Sequence, residues 1–350
     1  MSFLQVTNAS GARLSLSPYG ARLAGLTLPD RDGKFDDCVL GFDTEEEFIE
    51  HAGSYVGATV GRVAGRTANA HFVGGGLDLQ LVANDGGHTL HGGGSGGLDR
   101  QVWHAAPAWD DRGVGFTFSC VSPAGTDGYP GTLRATCTYL LADDNTLSVE
   151  MRAVADADTP IALTQHAYWN LTSGGRGTVV DDELFIAAHD RVGMTHELVP
   201  TGEIVPVSGT GFDFTQSRRI GALLPSDTGV PWPGIDHTYL LDGRVRALDG
   251  VDPGNAAQPD WLSAPAATMY SPSTGRHMDL YTTEPALQIY LGCHLSSLTG
   301  REGAVYAAGS GICLETVRLP DSPLLPELPS IVVPAGEEYV QQSVYRFSTR

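Results

Sequence analysis

The chain has 350 residues, of which 41% are hydrophobic and 18% charged, a composition typical of a globular protein with a large core. Its 21 lysines and arginines stand against 41 aspartates and glutamates, which gives a net charge of −20 with neutral histidines. Such a negative field repels phosphate backbones and anionic lipid surfaces, so we predict neither a nucleic-acid nor a membrane partner, and favour a neutral ligand.

Glycine and proline, at 44 and 21 residues, divide the chain into short segments of alternating apolar and polar side chains. This pattern predicts many short strands joined by turns, and therefore an all-β sandwich or barrel. The predicted strands are Arg13–Ser17, Leu77–Leu81, Val102–Ala108, Gly115–Ser122, Leu133–Leu141, Thr146–Ala153, Glu183–Ala188, Ala266–Tyr270, His277–Thr282, Ala286–Tyr290, Ile312–Thr316 and Glu337–Phe347.

Helical signals are few. Thr44 is a candidate N-cap of a short helix that runs through Glu50, because Glu47 follows it by three residues. A second short helix is predicted over Ser217–Leu224. The polar stretch Asp242–Asp260 predicts a long loop, which we interpret as an insertion rather than a loop that borders a site.

The spacing of prolines, the spacing of cysteines and the N-terminal sequence give three further predictions. Prolines recur at every third position from Pro320 to Pro329, which predicts a rigid polyproline II connector rather than a ligand for a peptide-binding domain. The five cysteines are scattered, with no C-x-x-C pair, so we predict free thiols and no disulfide framework. The N-terminus lacks a signal-peptide pattern, which leads us to expect a cytoplasmic protein.

The glycine-rich run Leu90–Gly97 matches three motifs, for dinucleotide binding, a hydrolase nucleophile and an oxyanion loop. The first two motifs require a helix after the loop, whereas Leu98–Trp103 lead towards another strand. We therefore interpret the run as a flexible loop that brings His91 close to a ligand.

Metal binding is the next alternative. His88 and His91 are three residues apart, but they lie in a glycine-rich loop with no third ligand at a motif distance. The acidic group Asp30–Asp37 lacks the glycine position of a calcium-binding EF-hand loop. We predict no required metal and no other cofactor.

The segment Leu163–Asn170 predicts a strand with an unusually polar face. Alternation places His166, Tyr168 and Asn170 on one side and Gln165 on the other. Histidine exchanges protons near neutral pH, since its ordinary pKa is about 6.5. These residues alone leave two alternatives open, a core histidine satisfied by its neighbours and a proton-transfer group.

Two acids are candidates for the same chemistry. Glu315 lies near the end of the apolar strand Ile312–Thr316, and Asp236 follows a proline-rich turn. A carboxylate on an apolar strand is costly to bury unless it is paired or functional.

A series of short motifs, in one order along nearly the whole chain, resembles the aldose 1-epimerase, or galactose mutarotase, family. The matching segments are Gly61–Arg66, Leu90–Gly93, Gly128–Gly131, Leu163–Leu171, Pro200–Glu203, Phe212–Asp213, Gly234–His237, Tyr281–Pro285, Cys313–Thr316 and Pro334–Tyr339. The resemblance implies a large antiparallel β-sandwich of the galactose mutarotase-like supersandwich type, with a few short helices. We expect a single domain over residues 1–350.

The resemblance also implies roles for individual residues. Glu315 corresponds to the general base that takes the proton from the anomeric hydroxyl, and His166 to the general acid at the ring oxygen. His91 corresponds to a second histidine that assists at the same oxygen. The positions that hold the sugar hydroxyls are Arg66, Asp236 and Gln288.

The implied reaction needs one group that removes a proton and another that supplies one, because a cyclic hemiacetal opens to an aldehyde and closes on its other face. We expect Glu315 as a carboxylate and His166 as an imidazolium to form this pair, acting on a free hexose or pentose. Two departures from the family pattern matter. Gly65 replaces the usual asparagine, which removes one expected hydrogen bond to the sugar, and Gln165 replaces another asparagine.

Three other functions remain open from the sequence. Asp236 and Glu315 are compatible with the two carboxylates of a glycosidase, although the histidines then have no task. A silent sugar-binding protein on the same fold, and an epimerase of a modified or phosphorylated sugar, are the other two. The protein is expected to be a monomer or a homodimer.

Overall fold

The computed structural model describes residues 3–222, 234–243, 260–320 and 328–350, and its regular structure is almost entirely β. The first strands are β1 (Leu4–Thr7), β2 (Arg13–Ser17), β3 (Arg22–Pro29), β4 (Phe35–Asp37), β5 (Ala58–Val60), β6 (Arg66–Thr67), β7 (His71–Gly74), β8 (Leu77–Gln80), β9 (Thr89–Leu90) and β10 (His104–Asp110). The next are β11 (Gly113–Ser122), β12 (Leu133–Leu141), β13 (Thr146–Ala155), β14 (Thr159–Pro160), β15 (Thr164–His166), β16 (Tyr168–Trp169), β17 (Glu183–Ile186), β18 (Asp190–Met194), β19 (Pro200–Pro206) and β20 (Arg218–Arg219). The last are β21 (Asp236–Leu240), β22 (Ala267–Tyr270), β23 (Arg276–Thr282), β24 (Ala286–Tyr290), β25 (Leu298–Thr299), β26 (Val305–Tyr306), β27 (Ile312–Val317), β28 (Val332–Val333) and β29 (Glu338–Thr349).

Two large antiparallel sheets carry the architecture. A nine-stranded sheet has the order β10-β11-β12-β13-β29-β23-β22-β17-β20, and a six-stranded sheet has the order β16-β27-β24-β21-β18-β19. Their inner faces share one apolar core, in which Trp169 of β16 packs against Tyr345 of β29 with ring centroids 4.8 Å apart. The prediction of an all-β antiparallel sandwich is confirmed.

The alternating pattern located most strands correctly. The observed bounds of β12 and β24 equal the predicted Leu133–Leu141 and Ala286–Tyr290, and β2 equals Arg13–Ser17. The long strand β29 alternates buried and accessible residues along most of its length because only one of its faces packs on the core.

The predicted short helix also forms, as α1 (Glu45–Glu50). Thr44 Oγ1 accepts the backbone N–H of Glu47, and the Glu47 carboxylate accepts the backbone N–H of Thr44 at 2.9 Å. This capping box satisfies two N–H groups that would otherwise lack a partner. Phe48 then packs edge-on against Phe42, with ring centroids 5.0 Å apart.

The second predicted helix, over Ser217–Leu224, is wrong for the part that the structure describes. Arg218 and Arg219 form the edge strand β20, paired with Glu183 and Leu184 of β17, and a short 3-10 turn follows at Ile220–Ala222. Pairing with a sheet edge satisfies backbone groups that a lone helix of this length would leave exposed.

Two predicted connectors lie largely outside the described residues. Of the loop Asp242–Asp260, residues 244–259 are not described, and of the proline-rich segment, residues 321–327 are not described. All five cysteines fall within the described ranges and are free thiols, as expected. No helix in the described ranges has the length and apolar character needed to cross a membrane.

Candidate active site

Three neighbouring strands of the six-stranded sheet form one side of a cavity. β24 pairs with β21 on one edge and with β27 on the other, and the register sets Gln288 opposite both Thr238 and Glu315. Tyr290 lies opposite Asp236 in the same register. Because opposed residues of antiparallel strands share a face, these five side chains project to one side, which we name the sheet wall.

The polar side chains of the sheet wall bind one another. The Thr238 hydroxyl donates to Gln288 Oε1, and Gln288 Nε2 donates to Asp236 Oδ1. The two bonds orient the Gln288 amide, with its nitrogen towards the carboxylate. The sheet wall therefore presents hydrogen-bonding groups in a fixed order.

Arg66, on the short strand β6, extends this row. Its Nε donates to Asp85 Oδ2 at 2.8 Å, and its guanidinium lies 3.7 Å from Asp236 Oδ2. The preceding Gly65 has a φ of +79°, and a Cβ at this position would lie 3.2 Å from Pro320 Cγ. Both observations favour glycine at position 65, where the family usually has asparagine.

His91 faces the sheet wall from the glycine-rich loop after β9. Gly65 N–H donates to His91 Nδ1 at 3.2 Å, and His91 N–H donates back to Gly65 O at 2.9 Å. Since Nδ1 accepts a hydrogen bond, the proton of the neutral imidazole belongs on Nε2. A Cβ on Gly92 would lie 2.2 Å from Gly61 O, so only glycine lets the loop approach this closely.

His166 ends β15 at a point where the chain changes partner strands. β15 pairs with β5, whereas β16 begins two residues later and pairs with β27. Gln165 spans the break, because its Nε2 donates to Gly57 O at 3.0 Å and its Oε1 accepts Ala167 N–H at 2.8 Å. The single strand predicted over Leu163–Asn170 is therefore interrupted, since two sheets meet at Ala167.

The polar face predicted for this segment divides accordingly. His166 and Tyr168 both line the cavity. Asn170 is fully buried, and its side chain donates to Ser310 O at 2.7 Å and accepts the N–H of Thr172 at 3.0 Å. Asn170 thus fixes the turn that follows it and does not line the cavity.

Aromatic rings surround the two histidines. Tyr55 packs edge-on against His91 with centroids 4.6 Å apart, and Tyr168 lies 5.1 Å from His166. The two imidazoles are 5.2 Å apart. We name Tyr55, His91, His166 and Tyr168 the histidine wall.

The two walls enclose a cavity of about 530 Å³. Every site residue predicted from the sequence lies on its lining, namely Arg66, His91, His166, Asp236, Gln288 and Glu315. The sequence interpretation missed Tyr55, Asp85, Thr238, Tyr290 and His294, which line it as well. Strand alternation could have predicted Thr238 and Tyr290, because each lies two residues along a strand from a predicted site residue and so faces the same side. Tyr55 and Asp85 come from turns, which have no such period.

Glu315 and His166 form a buried pair of a carboxyl group and an imidazole in the cavity. Nε2 of His166 lies 3.5 Å from Glu315 Oε1, and each residue is only 3% exposed. Burial lowers the pKa of His166 to about 4, and burial together with Asp236 raises the pKa of Glu315 well above its ordinary value. These pKa shifts favour a pair with a neutral carboxyl group and a neutral imidazole, contrary to the expected pair of carboxylate and imidazolium. The two forms contain the same number of protons, however, and differ only in which residue holds one of them.

The same residues are the best candidates for a metal site among the described residues. Ligand atoms of His91, His166 and Glu315 all lie within 4.8 Å of one another. A metal would need a lone pair on His91 Nε2, but the Gly65 N–H at Nδ1 places the proton on that nitrogen. The arrangement thus fits proton transfer better than metal ligation.

Comparison with known proteins identifies the family. The family model for aldose 1-epimerase matches residues 2–346. The chain belongs to the aldose 1-epimerase family. This is a family of isomerases. A galactose mutarotase of Bos taurus is 36% identical over 337 residues, 96% of this chain and 91% of that protein. An aldose 1-epimerase of Escherichia coli (strain K12) is 33% identical over 347 residues, 98% of this chain and 94% of that protein.

Solved structures agree with this family assignment. An aldose epimerase homologue from C. elegans superposes with a TM-score of 0.85 at 30% identity, covering 99% of both chains. A galactose 1-epimerase from Lactobacillus acidophilus NCFM superposes with a TM-score of 0.80 at 26% identity, covering 99% of this chain and 94% of that one. The predicted galactose mutarotase-like fold is confirmed.

Proposed function

We propose that this epimerase interconverts the α and β anomers of a free aldose, with Glu315 as the general base and His166 as the general acid. The observation that carries the proposal is the buried pair itself, with His166 Nε2 3.5 Å from Glu315 Oε1. Arg66, Asp236 and Gln288 line the same cavity, where their side chains can bind hydroxyl groups.

The reaction uses the one mobile proton of this pair. In the charged form, the Glu315 carboxylate accepts the proton of the anomeric hydroxyl while the imidazolium of His166 protonates the ring oxygen, so the C1–O5 bond breaks and the aldehyde forms. Rotation about the C1–C2 bond presents the other face of the carbonyl. Ring closure then runs the two proton transfers backwards and restores the pair.

His91 assists at the ring oxygen. Burial lowers the pKa of His91 well below its ordinary value, so this imidazole is neutral near pH 7. Its Nε2–H, fixed by the Gly65 N–H at Nδ1, is a hydrogen-bond donor for the same oxygen. A second donor stabilises the negative charge that develops there during ring opening.

The charge of the cavity favours a neutral sugar. Among its described lining residues, Arg66 is the one lysine or arginine, and both Asp85 and Asp236 already contact its guanidinium. A phosphate group usually requires more cationic donors than this. Asp236 also accepts Gln288 Nε2, which suits a residue that orients hydroxyls better than a glycosidase acid or nucleophile.

We further propose that residues 1–350 fold as one unit and that the protein acts on a monosaccharide in the cytoplasm, as a monomer or homodimer. One apolar core that includes residues from Ala12 to Phe347 supports the single unit. Five free thiols suit a reducing compartment.

Polarimetry tests the reaction and the base together. We expect wild-type protein to accelerate the change in optical rotation of freshly dissolved α-D-glucose or α-D-galactose. Glu315→Gln should lower kcat by about 10²- to 10⁴-fold, because the amide cannot accept the hydroxyl proton. Glu284→Gln is the matched control, since Glu284 is equally buried and does not line the cavity.

Circular dichroism should show that both variants fold. A wild-type rate equal to the buffer blank across glucose, galactose, xylose, arabinose and fucose would disprove the reaction. A Glu315→Gln rate equal to that of wild type would instead disprove the assignment of the base.

A further inference from the structure

One part of the cavity lining is a continuous row of polar side chains. Gln288 lies opposite Glu315 in the register of β24 and β27. Gln288 Nε2 donates to Asp236 Oδ1, and Asp236 Oδ2 lies 3.7 Å from the Arg66 guanidinium. The polar row therefore begins at Glu315 and ends at Arg66.

The two histidines close the polar row into a circuit. Arg66 follows Gly65 in the chain, and Gly65 is joined to His91 by two hydrogen bonds. The imidazoles of His91 and His166 are 5.2 Å apart, and His166 Nε2 lies 3.5 Å from Glu315 Oε1. The circuit thus returns to the residue at which it began.

A pyranose ring is also a closed circuit, and the proposed reaction fixes two of its positions. The anomeric hydroxyl on C1 belongs at Glu315, and the ring oxygen belongs at His166 and His91. With these two positions fixed, C2, C3 and C4 follow in order along the polar row. C5 is bonded to the ring oxygen, so it falls between Arg66 and His91, and its substituent faces Gly65.

Gly65 is the member of this circuit that has no polar side chain. Its N–H donates to Nδ1 of His91, and its carbonyl oxygen already accepts the His91 N–H. Pro320 lies behind it, since a Cβ on Gly65 would be 3.2 Å from Pro320 Cγ. Ala64 and Leu319, which precede Gly65 and Pro320 in the chain, line the cavity as well. A hydroxyl group here would lose water and find no side-chain partner among these residues, which costs free energy.

We propose that the site prefers aldoses whose C5 substituent has no hydroxyl group. These are the aldopentoses, which carry hydrogen there, and the 6-deoxyhexoses, which carry a methyl group. The inference rests on the proposed roles of Glu315, His166 and His91, because they fix C1 and the ring oxygen. Gly65 is then a specificity-determining residue, since hydrogen or methyl needs no hydrogen-bond partner and a hydroxymethyl group does.

Sugars that differ only at C5 test the preference. D-Fucose is 6-deoxy-D-galactose, and L-arabinose has the configuration of D-galactose at C2, C3 and C4 but lacks C6. By polarimetry corrected for the buffer blank, we expect kcat/KM for both sugars to be about five- to tenfold above that for D-galactose, the size of one hydroxyl left without a partner. D-Xylose should exceed D-glucose by a similar factor. A kcat/KM for D-galactose equal to or above that for D-fucose would overturn the inference.

Gly65→Asn supplies the missing partner. Asparagine tolerates a positive φ better than most side chains, and Gly65 has a φ of +79°. We expect the preference for D-fucose over D-galactose to fall to about twofold or less, because the amide can bind the C6 hydroxyl. Gly65→Ala adds the same Cβ without an amide and should keep the preference. A folded Gly65→Asn protein that keeps the full preference would contradict the role of Gly65.

Gly33→Asn is the matched control for an asparagine at positive φ. Gly33 has a φ of +78°, and a Cβ there would meet no atom within 4 Å. This variant should leave both rates and the preference unchanged. If Gly65→Asn does not fold, as judged by circular dichroism, the wild-type ratios between the matched sugars remain the test.

Calorimetric titration separates this inference from the proposed function. If wild-type protein epimerises no sugar of the panel faster than the buffer blank, the proposed function is wrong, but the Kd values of D-fucose and D-galactose still compare the two sugars. A Kd about five- to tenfold lower for D-fucose would then support the preference. Equal Kd values would overturn it.

Discussion

The sheet wall and the histidine wall differ in their side chains and in the partners that those side chains bind. On the sheet wall, Thr238, Gln288 and Asp236 bind one another and Asp236 also contacts Arg66, so each polar group has a partner before a sugar arrives. On the histidine wall, tyrosine rings pack against both imidazoles, the Gly65 N–H donates to Nδ1 of His91, and the Cys313 thiol lies 3.5 Å from Nδ1 of His166.

This difference has an electrostatic consequence. Burial among aromatic rings removes water from the imidazoles and lowers the pKa of His166 to about 4. On the sheet wall, burial raises the pKa of Asp236, while Arg66 opposes that shift. We infer that the sheet wall, apart from Glu315, recognises the sugar, and that Glu315 and the histidine wall move the proton. Substitutions of the other sheet-wall residues should therefore change KM, and substitutions of Glu315 or the histidine wall should change kcat.

The largest effect in this comparison is expected for the proposed acid. His166→Gln should lower kcat by about 10²- to 10⁴-fold with a small change in KM, because glutamine cannot supply a proton to the ring oxygen. Polarimetry at several sugar concentrations separates the two constants. His88→Gln is the control, because His88 accepts Asn69 N–H at 3.0 Å and does not line the cavity. Equal loss in both variants would contradict the assignment.

The pH dependence of kcat should follow the protons of the Glu315 and His166 pair. Its active form holds one mobile proton, so activity falls when His166 gains a second one, below its pKa of about 4. On the alkaline side, activity should decline only well above the ordinary carboxyl pKa, since that of Glu315 is raised.

We expect a tenfold loss of kcat for each pH unit on the acid side. The lowered pKa of His166 also destabilises the fold as the pH falls from about 6.5 towards 4, because the unfolded chain then binds the proton more readily. Circular dichroism at each pH must therefore accompany the rates. A fall of kcat on the acid side with its midpoint near pH 6.5, in protein that is still folded, would contradict this account of the histidine wall.

The smallest expected effect concerns Asp85, at the outer end of the sheet wall. Asp85→Asn weakens a half-exposed ion pair that orients Arg66, so KM should rise only about two- to fivefold at constant kcat. Asp78→Asn is the matched control, because Asp78 pairs with His71 at an exposed position away from the cavity. A fall in kcat without a change in KM would place Asp85 with the histidine wall instead.

The sheet wall was partly accessible from the sequence because the alternation of side chains along a strand is a local property. β24 has the predicted bounds, and alternation along β21 and β27 predicts which side chains join Asp236 and Glu315. The capping box of α1 was accessible for the same reason, since its partners are three residues apart.

The histidine wall was less accessible. Alternation predicted one continuous strand and a shared face for His166, Tyr168 and Asn170, yet the chain changes partner strands at Ala167 and Asn170 turns to bind Ser310. Arg218 and Arg219 likewise became an edge strand where a helix was predicted. Both outcomes depend on partners more than 30 residues away.

By itself the sequence determined the strand pattern and the family, because periodicity and motif order are properties of the chain alone. It also predicted six site residues, all of which line one cavity in the structure. Only the tertiary structure decided the environment of those residues: the aromatic burial that lowers the pKa of His166, the thiol behind its ring, and the backbone N–H that orients His91. Proton affinity depends on neighbours in space, and the fold brings these neighbours together from distant parts of the chain.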